Sequence, residues 1–301
     1  MKTKKQIVEC IPNFSEGKDL TKIEKIVKPF KGKKDVKLLG YERDEDYNRI
    51  VVTVIGEPDS VKGAVIEAIG EAIKVIDMRK HKGQHPRMGA IDVVPFVPIK
   101  NFTIEEAVSL SKEVAKIASE KYKLPIFLYE KSATSPKREN LSVIRKGEFE
   151  GMAKKIKQPE WKPDYGPAEI HPTAGVTAVG ARVPLIAYNI NLGTNNLEIA
   201  NNIARSIRHI NGGLRYCKAM GVELKKRGIV QVSINMTDYT KTPLYRAFEL
   251  VKIEAKRYGV NIIGSEIVGF APMEALVDTA VYYLGLEKFS TEQILEARMM
   301  E

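Results

Sequence analysis

Cysteine, histidine and tryptophan are scarce in this sequence, and the scarcity of cysteine excludes a fold held together by disulfides. Of the 301 residues, two are cysteine, four are histidine and one is tryptophan. Cys10 and Cys217 each stand alone inside an apolar run, so we expect two buried free thiols in a reducing compartment. The predicted location is therefore the cytoplasm.

Long apolar runs are also missing. No stretch approaches the roughly 20 apolar residues that a membrane-spanning helix needs. The Lys-rich residues 1–6 pass directly into Ile7–Cys10 without the apolar region of a secretory signal. We therefore expect neither a membrane anchor nor a secretory signal. The sequence also lacks a Gly-x4-Gly-Lys-Ser/Thr loop, which argues against a bound ATP.

The net charge of +10 raises the question of an acidic partner. However, lysine and arginine are interleaved with glutamate along the whole chain, as on the Lys/Glu-rich surface of a heat-adapted protein. Sheets that bind RNA display exposed aromatic side chains, whereas the apolar runs here are aliphatic. We therefore predict that the chain does not bind nucleic acid, and we keep RNA binding as a remote alternative.

The periodicity of apolar residues predicts alternating strands and helices in each half of the chain. The first half reads as strand 7–13, helix 19–30, strands 36–41 and 50–56, helix 59–76, strand 90–99, helix 103–122 and strand 125–129. The second half reads as strand 184–191, helix 197–210, strands 214–224 and 228–235, helix 242–258, strand 260–269 and helix 272–284. Each half contains the βαββαβ order of a ferredoxin-like unit. We predict an α+β protein of two such subdomains, residues 1–180 and 181–301, packed with a cleft between them.

Residues 155–182 join the two halves and are rich in proline and glycine. Connections of this length inside a folded chain are usually functional or disordered. Trp161 and Tyr165 favour an ordered, ligand-facing connection, because large aromatic side chains need a surface to cover. Two interpretations of these rings stay open: they stack on a ligand, or they anchor the connection to the core.

The densest group of chemically useful side chains is the segment from residue 77 to residue 90, which we call the basic loop. It holds His81 and His85 together with several cations, Arg79, Lys80, Lys82 and Arg87. It lies between a predicted helix and a buried strand, where a loop can present side chains from a rigid scaffold. Pro86 restricts the backbone of His85 to an extended conformation and so limits where the ring points.

Three interpretations of the basic loop compete. It is a solvated turn at a helix end, a metal site using His81 and His85, or a catalytic loop. Ligands four residues apart align on a helix, which Gly83 and Pro86 disfavour, and the cations repel a metal ion. As a catalytic loop, positive neighbours lower the pKa of His85 and keep its ring neutral, as a general base requires. The same cations can bind an anionic dicarboxylate.

Several stretches resemble the signature segments of the glutamate formiminotransferase family. They are residues 7–17 (IVECIPNFSEG), 77–90 (DMRKHKGQHPRMGA), 187–192 (AYNINL), 231–233 (QVS) and 264–269 (GSEIVG). The resemblance covers nearly the whole chain. It implies transfer of a formimino group from N-formimino-glutamate to tetrahydrofolate, with tetrahydrofolate as co-substrate and no metal. It also implies that the cyclodeaminase of some members is not present here. We expect the protein to be a homodimer.

The resemblance also implies roles for individual residues. His85 corresponds to the family's acid/base histidine, and Gln84 stands where relatives commonly have glutamate. The folate-binding stretch corresponds to Gly166, Pro167, Ala168, Glu169, Ile170, His171, Pro172, Thr173, Ala174 and Gly175. We expect Lys82 and Arg87 to bind the substrate. Arg49 either binds a substrate carboxylate or pairs with the acidic turn before it. Formyl transfer and ATP-dependent cyclo-ligation of 5-formyl-tetrahydrofolate are the alternative activities.

Overall fold

A computed structural model describes residues 5–299, so part of the Lys-rich segment 1–6 lies outside the described residues. Within that range the chain forms two compact units, which divide between Arg182 and Val183.

The first unit is built on a seven-stranded sheet. Its strands are β1 (Ile7–Cys10), β2 (Asn13–Phe14), β3 (Val36–Asp44), β4 (Arg49–Gly56), β5 (Ile91–Lys100), β6 (Ile126–Glu130) and β7 (Thr177–Ala181). Its helices are α1 (Leu20–Val27), α2 (Pro58–Val75), α3 (Ile104–Tyr122), α4 (Pro136–Glu139), α5 (Leu141–Arg145) and α6 (Glu148–Lys155).

The strand order of the first unit is that of a ferredoxin-like sheet with an extension. β1 and β2 lie between β4 and β5, and β3 pairs with the other edge of β4, all antiparallel. β7 then adds parallel to β5, and β6 adds parallel to β7. The predicted βαββαβ order is confirmed, and two parallel strands extend it.

Both faces of this sheet are covered at the β6 end. Ile126 and Leu128 pack into the core that includes the side chains of α1, α2 and α3, whereas Phe127 and Tyr129 point the other way. There they meet residues of α5 and α6, such as Ile144 and Met152. This alternation follows from the two-residue period of a strand.

Two features of the first unit differ from the sequence prediction. Residues 155–182, predicted as one long connection, contain the buried strand β7. The short helices α4, α5 and α6 were not predicted, and they bring new side chains to the face opposite α1, α2 and α3. These helices have only four to eight residues, which is too short to show a helical period.

The second unit repeats the ferredoxin-like order. Its elements are β8 (Ile186–Leu192), α7 (Leu197–Ile207), β9 (Cys217–Leu224), β10 (Ile229–Met236), α8 (Leu244–Arg257), β11 (Ile262–Val268), α9 (Met273–Leu284) and α10 (Leu295–Met299). The antiparallel sheet runs β11-β8-β10-β9. Inward residues of β8 and β10 share a core with α7 and α8. Two ferredoxin-like units are therefore confirmed.

The two cysteines are free and buried, as predicted from their apolar surroundings. Burial raises the pKa of the Cys217 thiol to about 12, so it stays protonated. Among residues 5–299, no helix is long and apolar enough to cross a membrane.

Candidate active site

The basic loop connects α2 to β5 and packs against the turn between β3 and β4. Gly83 lies so close to this turn that a Cβ at its position would be 2.2 Å from the carbonyl oxygen of Tyr47. The backbone N–H of Gln84 donates to the carbonyl of Asp46. The loop is therefore held against the hairpin by its backbone, and its side chains are free for other contacts.

Asn48 ties three segments together at this point. It adopts a left-handed backbone with φ of 50°, which asparagine tolerates better than most residues. Its side-chain oxygen accepts a hydrogen bond from the N–H of Gly17 at 2.8 Å, and its amide donates to the carbonyl of Lys82 at 2.9 Å. One buried amide thus joins the β2–α1 connection, the β3–β4 turn and the basic loop.

His81 has a structural set of contacts. Its Nε2 lies 2.9 Å from the carbonyl oxygen of Asn48, which can only accept, so Nε2 carries the ring proton. Nδ1 then accepts from Nε of Arg87 at 3.4 Å. Burial lowers the pKa of His81 from its ordinary value. With both nitrogens occupied, this ring links the turn to the end of the basic loop.

Arg87, predicted to bind substrate, is mostly buried and already has carboxylate partners. Its guanidinium donates to Glu148 at 2.8 Å and to both oxygens of Glu150 at 2.7 and 2.8 Å. These bonds attach the first turn of α6 to the basic loop. Lys82, also predicted to bind substrate, has an exposed side chain, and it contributes its backbone carbonyl to Asn48. Substrate binding by either residue stays a prediction.

His85 lies against Arg49, at the start of β4. Nη1 of Arg49 is 2.8 Å from Nε2 of His85, and the ring of Tyr47 packs at 5.9 Å between centroids. Because a guanidinium can only donate hydrogen bonds, Nε2 of His85 must accept. The neutral ring therefore carries its proton on Nδ1, the opposite tautomer to that of His81.

The pKa of His85 is lowered to about 3, first by burial and then by the positive charges of Arg49 and Arg145. The ring is thus neutral near pH 7, as the sequence predicted. The physical cause is different, because burial dominates and the cations come from β4 and α5 instead of the lysines of the basic loop. The nearby carbonyl of Pro86 opposes the shift.

The positive charges that act on His85 are the guanidinium groups of Arg49 and Arg145. Arg145 pairs with Asp92, a carboxylate that is only 2% exposed and also accepts from the N–H of Met88. Within residues 5–299, Arg49 forms no ion pair, and in both arginines Nε is buried without a hydrogen-bond partner. Burial and the charge of Arg145 lower the pKa of Arg49. Asp44 of the acidic turn faces Arg49 across the β3–β4 pair and attracts it electrostatically, but the two side chains form no ion pair.

In the predicted folate-binding stretch, Gly166 to Gly175, the residues that contact the basic loop are those at the C-terminal end of the stretch. The carbonyls of Thr173 and Ala174 accept from the N–H groups of Met78 and Ala90 at 2.8 and 2.9 Å. Gly175 has a φ of 71°, and a Cβ there would be 2.4 Å from the carbonyl oxygen of Met88. The end of this stretch is therefore fixed beside the loop that holds His85.

The beginning of the same stretch lies elsewhere. Gly166 and Pro167 line a surface cavity of about 340 Å³ with Ser119 near the end of α3. His171 lies between the two ends, and its Nδ1 accepts from the N–H groups of Thr173 and Ala174. This ring closes a backbone turn, in agreement with a structural role.

Trp161 and Tyr165 make the contacts of anchors. Trp161 packs edge-on against Phe127 at 6.4 Å and lies under the ammonium group of Lys155 at 3.9 Å. The backbone of Tyr165 pairs with Ile126, and its side chain packs on the core of the first unit. The contacts of Trp161 support the anchoring interpretation, whereas Tyr165 both packs on the core and lines the cavity beside Gly166 and Pro167.

The site contains residues that sequence reasoning missed. Asp92 had a local signal, because it is the one charge within the apolar run 90–99. Arg145 had none, since it reaches the site only through the packing of α5. Among the described residues, no group of three or more His, Cys, Asp or Glu side chains is arranged to hold a metal ion.

Comparison with known proteins gives consistent matches along the chain. The model of the formiminotransferase domain, N-terminal subdomain, matches residues 7–182, and that of the formiminotransferase domain matches residues 187–299. Glutamate formimidoyltransferase of Streptococcus pyogenes serotype M1 is 53% identical over 98% of this chain and 99% of its own length. The protein of that name from Thermoplasma acidophilum is 44% identical over 97% of each chain. Formimidoyltransferase-cyclodeaminase of Dictyostelium discoideum is 43% identical over 98% of this chain and 56% of its own length.

Proposed function

The chain belongs to the formiminotransferase family, and we propose on that basis that it transfers the formimino group of N-formimino-L-glutamate to tetrahydrofolate. The products are 5-formimino-tetrahydrofolate and glutamate. The proposal depends most on one observation: a neutral, half-buried imidazole lies beside an arginine that forms no ion pair among the described residues.

His85 is the acid/base group in this proposal. N5 of the folate attacks the formimino carbon and forms a tetrahedral intermediate, from which glutamate leaves. The N5 proton passes to Nε2 of His85 and from there to the departing nitrogen, so the ring ends the cycle neutral. A positioned acid/base group contributes about 10²–10⁴-fold in rate, and holding the two substrates together contributes the larger share.

Arg49 and Lys82 are the proposed contacts for the carboxylates of the donor. A guanidinium binds a carboxylate through two parallel hydrogen bonds, which fixes its orientation. Arg87 would have to exchange Glu148 or Glu150 for a substrate carboxylate, and its present bonds favour a positioning role for it. The stretch from Gly166 to Gly175 is the proposed folate contact, supported by the hydrogen bonds of Thr173 and Ala174 to the basic loop.

The assay that tests the function uses the purified full chain with tetrahydrofolate and N-formimino-L-glutamate, with and without ATP. We expect one glutamate to be released for each donor molecule consumed, whether or not ATP is present. N-formyl-L-glutamate serves as the matched donor for formyl transfer. Turnover only with the formyl donor, or only with 5-formyl-tetrahydrofolate and ATP, would replace the proposed reaction by one of the two alternatives.

We also propose a cytoplasmic homodimer. Apolar side chains at the end of the second unit support it, because Phe270, Leu276, Tyr282 and Leu284 are between 49% and 69% exposed. All four lie within residues 270–284, and exposed apolar side chains that cluster on a surface commonly mark an interface. Light scattering on the purified chain should give twice the monomer mass, and a monomer at micromolar concentration would exclude the dimer.

A further inference from the structure

The contact between Arg49 and His85 occupies the nitrogen that proton transfer needs. With the ring proton on Nδ1, Nε2 is the basic nitrogen of His85, and its lone pair accepts from Nη1 of Arg49 at 2.8 Å. A ring in this state cannot take a proton from folate until Arg49 moves. Protonation without that movement would place an N–H against the guanidinium and add a second positive charge.

We propose that Arg49 blocks Nε2 of His85 in the ligand-free protein, and that a carboxylate of the donor substrate frees Nε2 by binding Arg49 in its place. The inference rests on the proposed function, because it assigns the freed nitrogen to proton transfer. It makes Arg49 a positioning residue whose departure from His85 is triggered by the substrate.

Among the described residues, Arg49 is the arginine of the site that forms no ion pair. Arg87 is bound by Glu148 and Glu150, and Arg145 is bound by Asp92. Within residues 5–299, the side chain of Arg49 bonds Nε2 of His85 and lies 5.8 Å from the ring of Tyr47. Asp92 and Asp44 attract it electrostatically without forming an ion pair. An anion that enters the site therefore has no ion-paired carboxylate to displace from Arg49 among the described residues.

A carboxylate is a better partner than His85 for the guanidinium of Arg49. The bond to the neutral ring is already charge-assisted, but a carboxylate adds an opposite charge and offers two acceptor atoms. A carboxylate bound end-on, to Nη1 and Nη2 of Arg49, takes the donor group that Nε2 of His85 now uses. Asp92 and Asp44 offset the charge of Arg49 without pairing with it. Because a half-buried cation without a paired carboxylate is costly, the incoming carboxylate adds direct neutralisation.

The charged groups around His85 determine how the ring responds. Tyr47 and Arg49 face it from the hairpin, His81 from its own loop, and Arg145 from α5, where Asp92 of β5 balances its charge. Once a carboxylate neutralises Arg49, an opposite charge close to the ring favours its protonated form. A neighbouring opposite charge typically moves a pKa by about one to three units, so His85 becomes a more effective base only when the carboxylate is present.

A glutamyl carboxylate can come from the donor or from the glutamate tail of folate, and the two sources can be separated. The full chain, labelled with ¹⁵N at histidine, is titrated in separate experiments with glutarate, with p-aminobenzoyl-glutamate and with uncharged glutaramide. We expect glutarate to shift the Nε2 resonance of His85 and to raise the pKa of its ring by about one to three units. Glutaramide should do neither.

Two variants sharpen the result. In Arg49→Gln, Nε2 is unblocked without ligand, so the pKa of His85 should lie above the wild-type value and should no longer respond to glutarate. Arg79→Gln, an exposed cation of the same loop that pairs with Asp77, should keep the full response. An unchanged His85 signal at saturating glutarate would overturn the proposal. A response to p-aminobenzoyl-glutamate alone would overturn the assignment to the donor.

The experiment separates this inference from the proposed function. One outcome is that the protein transfers the formimino group while glutarate changes neither the Nε2 resonance nor the pKa of His85. That result would refute the blocking contact and leave the proposed function intact. A His85 that responds to glutarate in a protein without formimino transfer would support the contact and refute the function.

Discussion

The two units share one strand order and differ in one connection. In the first unit, residues 76–90 lead from α2 to β5, whereas in the second unit residues 258–261 make the corresponding step from α8 to β11. The longer connection contains His81, His85 and Arg87, and the shorter one contains none of these residue types. The ferredoxin-like scaffold therefore supplies rigidity, and the proposed chemistry depends on what the first unit adds to it.

The turn that supports this connection shows the same contrast. The hairpins β3–β4 and β9–β10 both end with a left-handed residue, Asn48 with φ of 50° and Gly228 with φ of 62°. Gly228 meets the backbone requirement without any side chain. Asn48 meets it at some cost in strain and uses its amide to hold the basic loop. Matched substitutions in the two units can therefore test where the function lies.

The largest difference is expected between the histidines of the two units. His85→Ala should lower turnover about 10²–10⁴-fold, because it removes the proposed acid/base group, while binding of tetrahydrofolate is retained. His209→Ala, at an exposed position in the second unit, should leave turnover unchanged. For both variants, steady-state kinetics measures turnover and calorimetric titration measures binding of tetrahydrofolate. Equal losses in the two variants would refute the assignment of chemistry to the basic loop.

The next effect compares the two left-handed positions. Asn48→Ala should destabilise the protein by about 2 kcal/mol, since two hydrogen bonds worth about 1 kcal/mol each are lost, and should lower turnover about tenfold through displacement of the loop. Gly228→Ala should cost about 1 kcal/mol through backbone strain and leave turnover intact, because a Cβ there meets no atom within 4 Å. Urea unfolding measures the free energy of unfolding of each variant, and steady-state kinetics measures its turnover. Unimpaired turnover in Asn48→Ala would show that the amide does not position the loop.

Loss of an ion pair should also destabilise the protein more in the first unit than in the second. Arg87→Gln should destabilise the protein by about 1–3 kcal/mol, because charged hydrogen bonds to Glu148 and Glu150 are lost. Arg257→Gln, which breaks the exposed pair with Glu254, should cost less than about 0.5 kcal/mol. Thermal unfolding measures the stability of each variant, and steady-state kinetics measures its KM for the donor. A large rise in KM without loss of stability in Arg87→Gln would instead support direct substrate binding.

The smallest effect concerns pH. The folded protein keeps His85 neutral down to its pKa of about 3, whereas the unfolded chain takes up a proton near the ordinary histidine pKa of about 6.5. The unfolded state binds more protons as pH falls, so this stabilising contribution is present above pH 6.5 and is lost as pH falls toward 3. Between pH 6.5 and 5.5 the loss is at most about 1 kcal/mol. Urea titrations of wild type and His85→Ala should show a flatter pH dependence in the variant, and identical slopes would contradict a neutral, half-buried ring.

Much of the architecture could be predicted, because long amphipathic segments such as α2 and α3 and aliphatic strands such as β5 have clear periods. β7 was missed because its small residues, Thr177 to Ala181, follow a stretch whose prolines and glycines read as a loop. Its signal is a short, continuous apolar run, which periodicity alone does not distinguish from a buried connection.

The site could be predicted only in part. His85 was recognisable from the density of charges around it and from Pro86, both of which are local. Arg49 and Arg145 lie 36 and 60 residues away from it in sequence, and packing of β4 and α5 brings their charges to the ring. The degree of burial, which is the main cause of the low pKa of His85, is a property of the whole unit that no local pattern reveals.

The proton position on His85 tests the account most directly. Long-range ¹H–¹⁵N spectra of the ligand-free, histidine-labelled protein at pH 7 distinguish the two neutral tautomers from the charged ring. We predict a proton on Nδ1 of His85 and on Nε2 of His81, with no protonation of His85 as the pH is lowered to 5. A His85 ring that carries its proton on Nε2, or that becomes charged between pH 7 and 5, would contradict the account.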